Sequence, residues 1–377
     1  MYIMQVIGGA EKGGSRNHLI TLSKELLKKG VKVEIVCFTD DIIAQSAREN
    51  NIPVTVISMK SIFDIRTIRL LNQHIKKRNP QILHTHGFRA NFIGRLAVVF
   101  SNGLPVITTV HSSMYYDYSS MLKKIFYHRI EKLTRSFTYK YIAVSAALKK
   151  ELEKDGISSD RIKVVYNGLS SDFPLNKEVT PFLRKELGID EETPILISVG
   201  RLESVKNYQM LLQAFSTLKQ DKIRFHGVIV GDGSLLSELK ELATSLDIDD
   251  SVHFLGFRND IYELLTESDL FLLTSIMEGF GVVLLEAMAA HTPVVITQAG
   301  GMQEIVKLAN NGYDVPVDDI VQFVARIEAI IAQPELKDKL AENGYKALQR
   351  YFTTEQFANN TLELYNQVLE EYKNKGK

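Results

Sequence analysis

Short apolar runs, each followed by a stretch of helical periodicity, recur along the whole 377-residue chain. That alternation leaves few architectures open, because strands separated by helices become parallel neighbours covered on both faces. The first run, YIMQVI at 2–7, leads into GGAEKGGS at 8–15. Leu19, Ile20, Leu22, Leu26 and Leu27 then share one helical face, and Gly30 ends it. Strands are expected at 31–38, 81–85, 105–110, 141–144 and 162–166, with a helix near 64–78 that Asp64 can cap. After a loop-rich connection at 167–193 a second series begins. Its strands read as 194–199, 224–230, 251–255, 270–273 and 293–297, and its helices as 208–218, 235–246, 282–290 and 320–332. A long final helix covers 354–373. The fold class is therefore α/β, with two Rossmann-like, doubly wound domains in series at 1–172 and 173–354. Ligands of such sheets collect beyond the carboxyl ends of the strands, and two facing sheets would leave a cleft between them.

Composition narrows the class. Hydrophobic residues make up 45% and charged residues 24%, the mix of a globular chain with a large core. Cys37 is the single cysteine, so no internal disulfide forms, and no Cys/His spacing suits structural zinc. No basic region precedes the first apolar run, which speaks against a signal peptide. No apolar stretch approaches a membrane span, since 281–290 is broken by Glu286. The expected location is cytoplasmic, with the inner face of a membrane as a peripheral site. The net charge of zero hides a split: residues 1–172 hold 26 Lys and Arg against 14 acids, and the remainder hold 19 against 31. The densest basic stretch, 121–140, carries Lys123, Lys124, Arg129, Lys132, Arg135 and Lys140 around Ile125, Phe126, Ile130, Leu133 and Phe137. Such a helix suits an anionic bilayer surface. It equally suits a core-packed helix with a solvated outer face. No recognised motif supports a nucleic-acid partner.

The chemistry-bearing segments sit at strand ends. GRLESVKN at 200–207 puts Arg201 and Lys206 after a strand, where they suit a phosphate that gains charge as a bond breaks. A surface Arg and Lys on a turn would share this pattern. GDG at 231–233 lets a ligand approach bare backbone, a weak signal alone. In TSIMEGFGVVLLEAMA at 274–289, Glu278 and Glu286 bracket Gly279, Phe280 and Gly281 where a helix begins. Free N–H groups and the helix dipole favour a diphosphate there, and carboxylates accept from sugar hydroxyls. His111 follows a strand and reads as structural or functional with equal ease. His84 and His86 alternate on one strand, yet the sequence offers no third ligand beside them, so they read as structural or acceptor-lining and no metal site is expected. Asp247 and Asp249 precede a strand, the wrong end of a parallel sheet, and read as a solvated turn.

GRLESVKN, GDG and EGFGVVLLEAMA, in this order and at these separations, resemble the retaining family-4 glycosyltransferases of the two-Rossmann GT-B architecture. VSAALKKEL, VVYNG and GGMQEIV resemble further recurrent segments of that family. The resemblance implies that Arg201 and Lys206 hold the donor diphosphate and that Phe280 and Gly281 offer it backbone amides. It implies that Glu278 contacts the transferred sugar, Glu286 the ribose, and the segment 255–258 the base. Gly13 and Gly14 match the family's N-terminal glycine loop, Gly231 its second glycine turn, and His111 the histidine near the reacting carbon. The first domain would bind the acceptor, the second the nucleotide sugar, and the last helix, 355–377, would pack back onto the first domain.

A nucleotide-diphosphate sugar, UDP-linked by family frequency, is thus the implied co-substrate, with no cofactor and no metal. A lipid-linked or glycan acceptor of envelope polysaccharide or glycolipid synthesis is the implied partner. Two alternatives stay open: a nucleotide-sugar 2-epimerase of related fold, and a non-catalytic sugar-binding protein. A nicotinamide dehydrogenase is disfavoured, because Ala10 stands where G-x-G-x-x-G needs its second glycine.

Overall fold

The computed structural model describes all residues except 10–13, 62–63, 102, 114–120, 171, 176 and 376–377. Thirteen strands among the described residues form two parallel sheets. The first sheet holds β1 (Tyr2–Ile7), β2 (Lys32–Cys37), β3 (Val54–Val56), β4 (Ile82–His86), β5 (Val106–Val110), β6 (Lys140–Ala143) and β7 (Ile162–Val164), in the order β3-β2-β1-β4-β5-β6-β7. The second holds β8 (Ile195–Val199), β9 (His226–Val230), β10 (Val252–Gly256), β11 (Leu270–Leu273), β12 (Val294–Thr297) and β13 (Gly312–Val315), in the order β10-β9-β8-β11-β12-β13. In both, the chain winds outward to one edge, returns to the centre and winds the other way. That reversal falls between β1 and β4 and between β8 and β11, and it opens a crevice at their carboxyl ends.

The chain divides into two compact units, Met1–Ser170 with Thr353–Lys377, and Ser171–Phe352. The final helix, Thr354–Lys375, belongs to the first unit for a packing reason. Its Phe357, Ala358, Leu364, Tyr365 and Val368 are buried against Ile3, Leu22, Leu26, Ile82 and Ile142. Each large side chain buried this way contributes roughly 1.5–3 kcal/mol. Where the chain re-enters this unit, a Cβ on Gly168 would lie 2.7 Å from Thr353 O and Thr354 Cα, so VVYNG needs its glycine at that crossing.

Strand expectations hold to within two residues wherever the run is strongly apolar. Two edge strands escape the sequence reading, β3 (VTV) and β13 (GYDV), because they are short and only partly apolar. Asp64 caps the helix Ile65–Arg78 by accepting from Arg66 N at 3.1 Å. The basic stretch is less uniform than its composition suggests. A helix covers Met121–Thr134, a tight turn Arg135–Phe137 follows, and Lys140 already opens β6. Asp247 lies in a turn with φ 56° on the amino side of β10 and pairs with Lys219.

Candidate active site

In the second unit, the loops after β8 and β11 flank the point where winding reverses, and hydrogen bonds lock them to each other. Thr274 Oγ1 donates to the carbonyls of Lys206 (3.1 Å) and Asn207 (2.9 Å), and Ile276 N donates to Val205 O at 2.8 Å. This brings Lys206 and Glu278 into a half-buried ion pair, Nζ to Oε1, with Ser275 Oγ 3.5 Å from the same carboxyl oxygen. Arg201 lies exposed at the end of β8 and makes no ion pair among the described residues. Two neighbouring cations, one held by a single glutamate and one uncommitted, leave positive charge to spare for an anion.

Bare backbone surrounds them. Gly231 has φ 137°, and a Cβ there would fall 1.9 Å from Gly200 O, so the ends of β8 and β9 meet only through glycine. Gly300, with φ 55°, packs equally hard on the Glu278 carbonyl, and Gly301 N donates to that carbonyl at 3.0 Å. These contacts fix the loop that carries Glu278. Gly281, at φ 84°, is the N-cap of the helix Val282–Ala289 and gives it no side-chain cap, so N–H groups of the first turn lack helical acceptors. Phe280 is buried beside Phe352. Glu286, one turn into this helix, makes no hydrogen bond among the described residues, and desolvation pushes its carboxyl up to about 7. A carboxyl in that state gains from any ligand that brings hydroxyl donors. At the end of β10, Gly256 has φ 66° and Phe257 is exposed, whereas Arg258 is bound to Asp260 and Glu186.

In the first unit the strand ends carry a different chemistry. His84 and His86 lie on β4, and His111 follows β5. The structure supplies the third histidine that the sequence did not offer beside them. His18, on the helix Gly14–Lys28, stacks edge-on against His111 with centroids 4.5 Å apart. Its ligand partners come from helix and strand ends distant in sequence, so local spacing concealed them. The only hint was a histidine on the apolar face of the first helix. Buried polar groups orient each ring. His18 Nδ1 meets Asn167 Oδ1 at 2.7 Å, His86 Nε2 meets Gln5 Oε1 at 3.1 Å, and His86 Nδ1 meets His111 Nε2 at 3.1 Å. His84 is held by Tyr365 Oη (2.6 Å) and Thr109 Oγ1 (2.7 Å). Burial drives all four below the ordinary histidine range, His18 to about 4, so the cluster is neutral at pH 7. Gly14 is exposed at the start of its helix, and Gly13 lies outside the described residues.

A cavity of about 300 Å³ adjoins this cluster, lined by His86, His111, Phe88, Tyr141, His128 and Lys132 among others. One wall is the helix Met121–Thr134. Buried Arg95 holds that helix through Glu131 Oε1 (2.5 Å) and Thr134 Oγ1 (3.2 Å), and reaches Thr138 Oγ1 (2.7 Å) just after the turn that follows. The apolar stripe is thereby turned outward: Ile125 is 47% exposed, Phe126 45%, Leu133 77% and Phe137 44%.

Two family models match the chain. The model described as Glycosyltransferase Family 4 matches residues 12–173, and that described as Glycosyl transferases group 1 matches residues 179–347. The chain belongs to glycosyltransferase family 4. Among similar family members, the N-acetyl-alpha-D-glucosaminyl L-malate synthase of Bacillus anthracis is 28% identical over 83% of this chain and 81% of its own length. The UDP-Gal:alpha-D-GlcNAc-diphosphoundecaprenol alpha-1,3-galactosyltransferase of Escherichia coli is 26% identical over 82% of this chain and 83% of its own. Among solved structures, Anabaena Alr3699/HepE in complex with UDP superposes with a TM-score of 0.84 at 23% identity, covering 97% of this chain and 100% of that one. The two parallel sheets thus have the GT-B fold, and the family assignment makes this chain a glycosyltransferase. No described helix is long and apolar enough to cross a membrane.

Proposed function

We propose that this glycosyltransferase moves a sugar, with retention of configuration, from a nucleoside diphosphate held by the second unit to an acceptor hydroxyl held by the first. The observation that carries this reading is the cluster at the ends of β8 and β11: Arg201 uncommitted, Lys206 shared with Glu278, and Glu286 desolvated without a partner. A diphosphate would draw Lys206 from Glu278, and the released carboxylate would then accept from hydroxyls of the transferred sugar. The bond between the anomeric carbon and the phosphate oxygen breaks with its electron pair going to phosphate. Arg201, Lys206 and the N–H groups of Phe280 and Gly281 take up the charge that develops. The acceptor oxygen attacks from the face the phosphate leaves and passes its proton to the departing phosphate oxygen. Side-chain cations do the neutralising, so the step needs no metal at the diphosphate. Glu286 accepts from the ribose, the segment 255–258 backs the base, and His111 stands at the acceptor side. Gly14 belongs to that side as well, and Gly231 leaves room for the phosphates.

The UDP complex of Alr3699/HepE supports uridine as the base. The undecaprenol-linked acceptor of the E. coli relative supports a lipid-linked or glycan acceptor in envelope synthesis. The outward apolar stripe of Met121–Thr134, beside exposed Arg129 and Lys132, supports peripheral docking of this segment on an anionic cytoplasmic membrane face. The test is a panel of nucleotide sugars assayed without acceptor. Binding and slow hydrolysis of one of them, with the anomeric configuration kept in the product, is expected. An isomerised nucleotide sugar would mark an epimerase instead, and a panel with no binder would end the reading.

A further inference from the structure

Hydrogen-bond counting in the histidine cluster leaves a lone pair over. Gln5 Nε2 donates to buried Ser23 Oγ at 3.0 Å, which leaves Gln5 Oε1 to accept from His86 Nε2–H. His86 Nδ1 is therefore bare and faces His111 Nε2. Asn167 Oδ1 accepts from His18 Nδ1–H, so His18 Nε2 is bare as well, and it is buried without a partner. His111 Nε2–H can satisfy one of these two nitrogens. The other remains a buried acceptor unmatched, which is unfavourable. Two lone pairs that converge on a third imidazole, each backed by an oxygen on the opposite ring nitrogen, form the arrangement by which proteins orient metal-binding histidines.

We propose that His18, His86 and His111 form a site for a late first-row divalent metal, Zn²⁺ above all, with an open position on the side of the cavity that His86 and His111 line. One nitrogen from each ring already lies within 4.8 Å of the others. Tetrahedral zinc with nitrogens at about 2.0–2.1 Å needs them roughly 3.3 Å apart. The His86–His111 pair is at 3.1 Å, and small rotations of His18 close the rest. Imidazole is a fitting donor for zinc, copper and nickel, and the cluster is neutral at pH 7, so no proton has to leave first. The ion would occupy the nitrogen of His111, so transfer would fall while metal is bound and return on chelation. That consequence rests on the role proposed above for His111; the binding does not.

The test uses the full chain, stripped of metal and titrated with Co²⁺. One equivalent should bind with the visible absorption of a tetrahedral or five-coordinate ion, and Zn²⁺ should displace it. Affinity should fall at least tenfold in His18→Gln and, as the milder variant, in Asn167→Ala. His226→Gln should change nothing, although His226 Nδ1 and His253 Nε2 also lie 3.0 Å apart. No stoichiometric uptake, unchanged affinity in both cluster variants, or loss in His226→Gln overturns the proposal. Metal binding by a chain that transfers no sugar would leave the site standing and remove only the transferase reading. Transfer by a chain that binds no metal would do the reverse.

Discussion

Both sheets reverse their winding at the centre, yet the groups gathered at the two reversal points differ in charge and in how water has been removed. At β8 and β11 stand an exposed arginine, a lysine shared with one glutamate and a carboxyl with no partner. At the ends of β4 and β5 and on the first helix stand neutral histidines: His18, His84 and His86 are each tied to a buried amide or hydroxyl, and His111 to His86. The first arrangement is incomplete without an anion and hydroxyl donors. The second is nearly complete and needs a ligand at one nitrogen. One backbone plan can thus present opposite electrostatics, because function lies in the side chains at the strand ends.

The largest test of this contrast removes the cations. Arg201→Ala or Lys206→Ala should lower kcat/KM by roughly 10²–10³-fold, on the scale of losing one charge-stabilising donor. The circular dichroism melt should shift little, because Arg201 is exposed and Lys206 only half-buried. Full transfer in either variant would erase the distinction between the two strand-end clusters.

His18 and Glu286, one in each unit, should contribute opposite pH dependences. His18 falls from 6.5 unfolded to about 4 folded, so the unfolded chain binds the extra proton. Its stabilising effect is complete above 6.5 and is lost as pH drops toward 4, up to roughly 3 kcal/mol. Glu286 rises from 4.5 to about 7, so the native state binds the extra proton. Its cost is absent below 4.5, grows as pH rises toward 7 and is full above it, up to roughly 3 kcal/mol. Chemical denaturation from pH 4 to 8 should therefore show the first unit weakening in acid. Glu286→Gln should stabilise the second at pH 8 but not at pH 4. A pH profile left unchanged by either His18→Gln or Glu286→Gln would break the comparison.

The smallest expected effect concerns the outward stripe. Lys132→Glu should weaken co-sedimentation with anionic vesicles severalfold, in keeping with about 1 kcal/mol per basic residue near such a surface. Added salt should weaken it further. Binding that ignores both would leave Met121–Thr134 as an ordinary solvated helix.

The cluster at the ends of β8 and β11 was legible in the sequence because its parts are local: GRLESVKN and EGFGVVLLEAMA each span one strand end and one helix start. The histidine nest was hidden because its members come from β1, the first helix, β4, the end of β5 and the chain near Asn167. Only folding brings them within reach. His84 and His86 looked like an isolated pair for that reason. The direction of the basic helix was equally illegible. Its periodicity fits burial or exposure, and buried Arg95, which settles it, lies on another helix, Gly87–Val99. The edge strands β3 and β13 were missed because three or four partly polar residues carry too little pattern.

The central claim, that the ends of β8 and β11 hold a nucleoside diphosphate, meets its most direct test in calorimetric titration of UDP at pH 8 and pH 6. Protonation of Glu286 near pH 7 predicts saturable binding at pH 8 that weakens up to about tenfold at pH 6. In Glu286→Gln that pH dependence should shrink to what the terminal phosphate of UDP, which titrates at about 6, contributes by itself. Absence of nucleotide binding, or an unaltered pH dependence in the variant, would contradict the account.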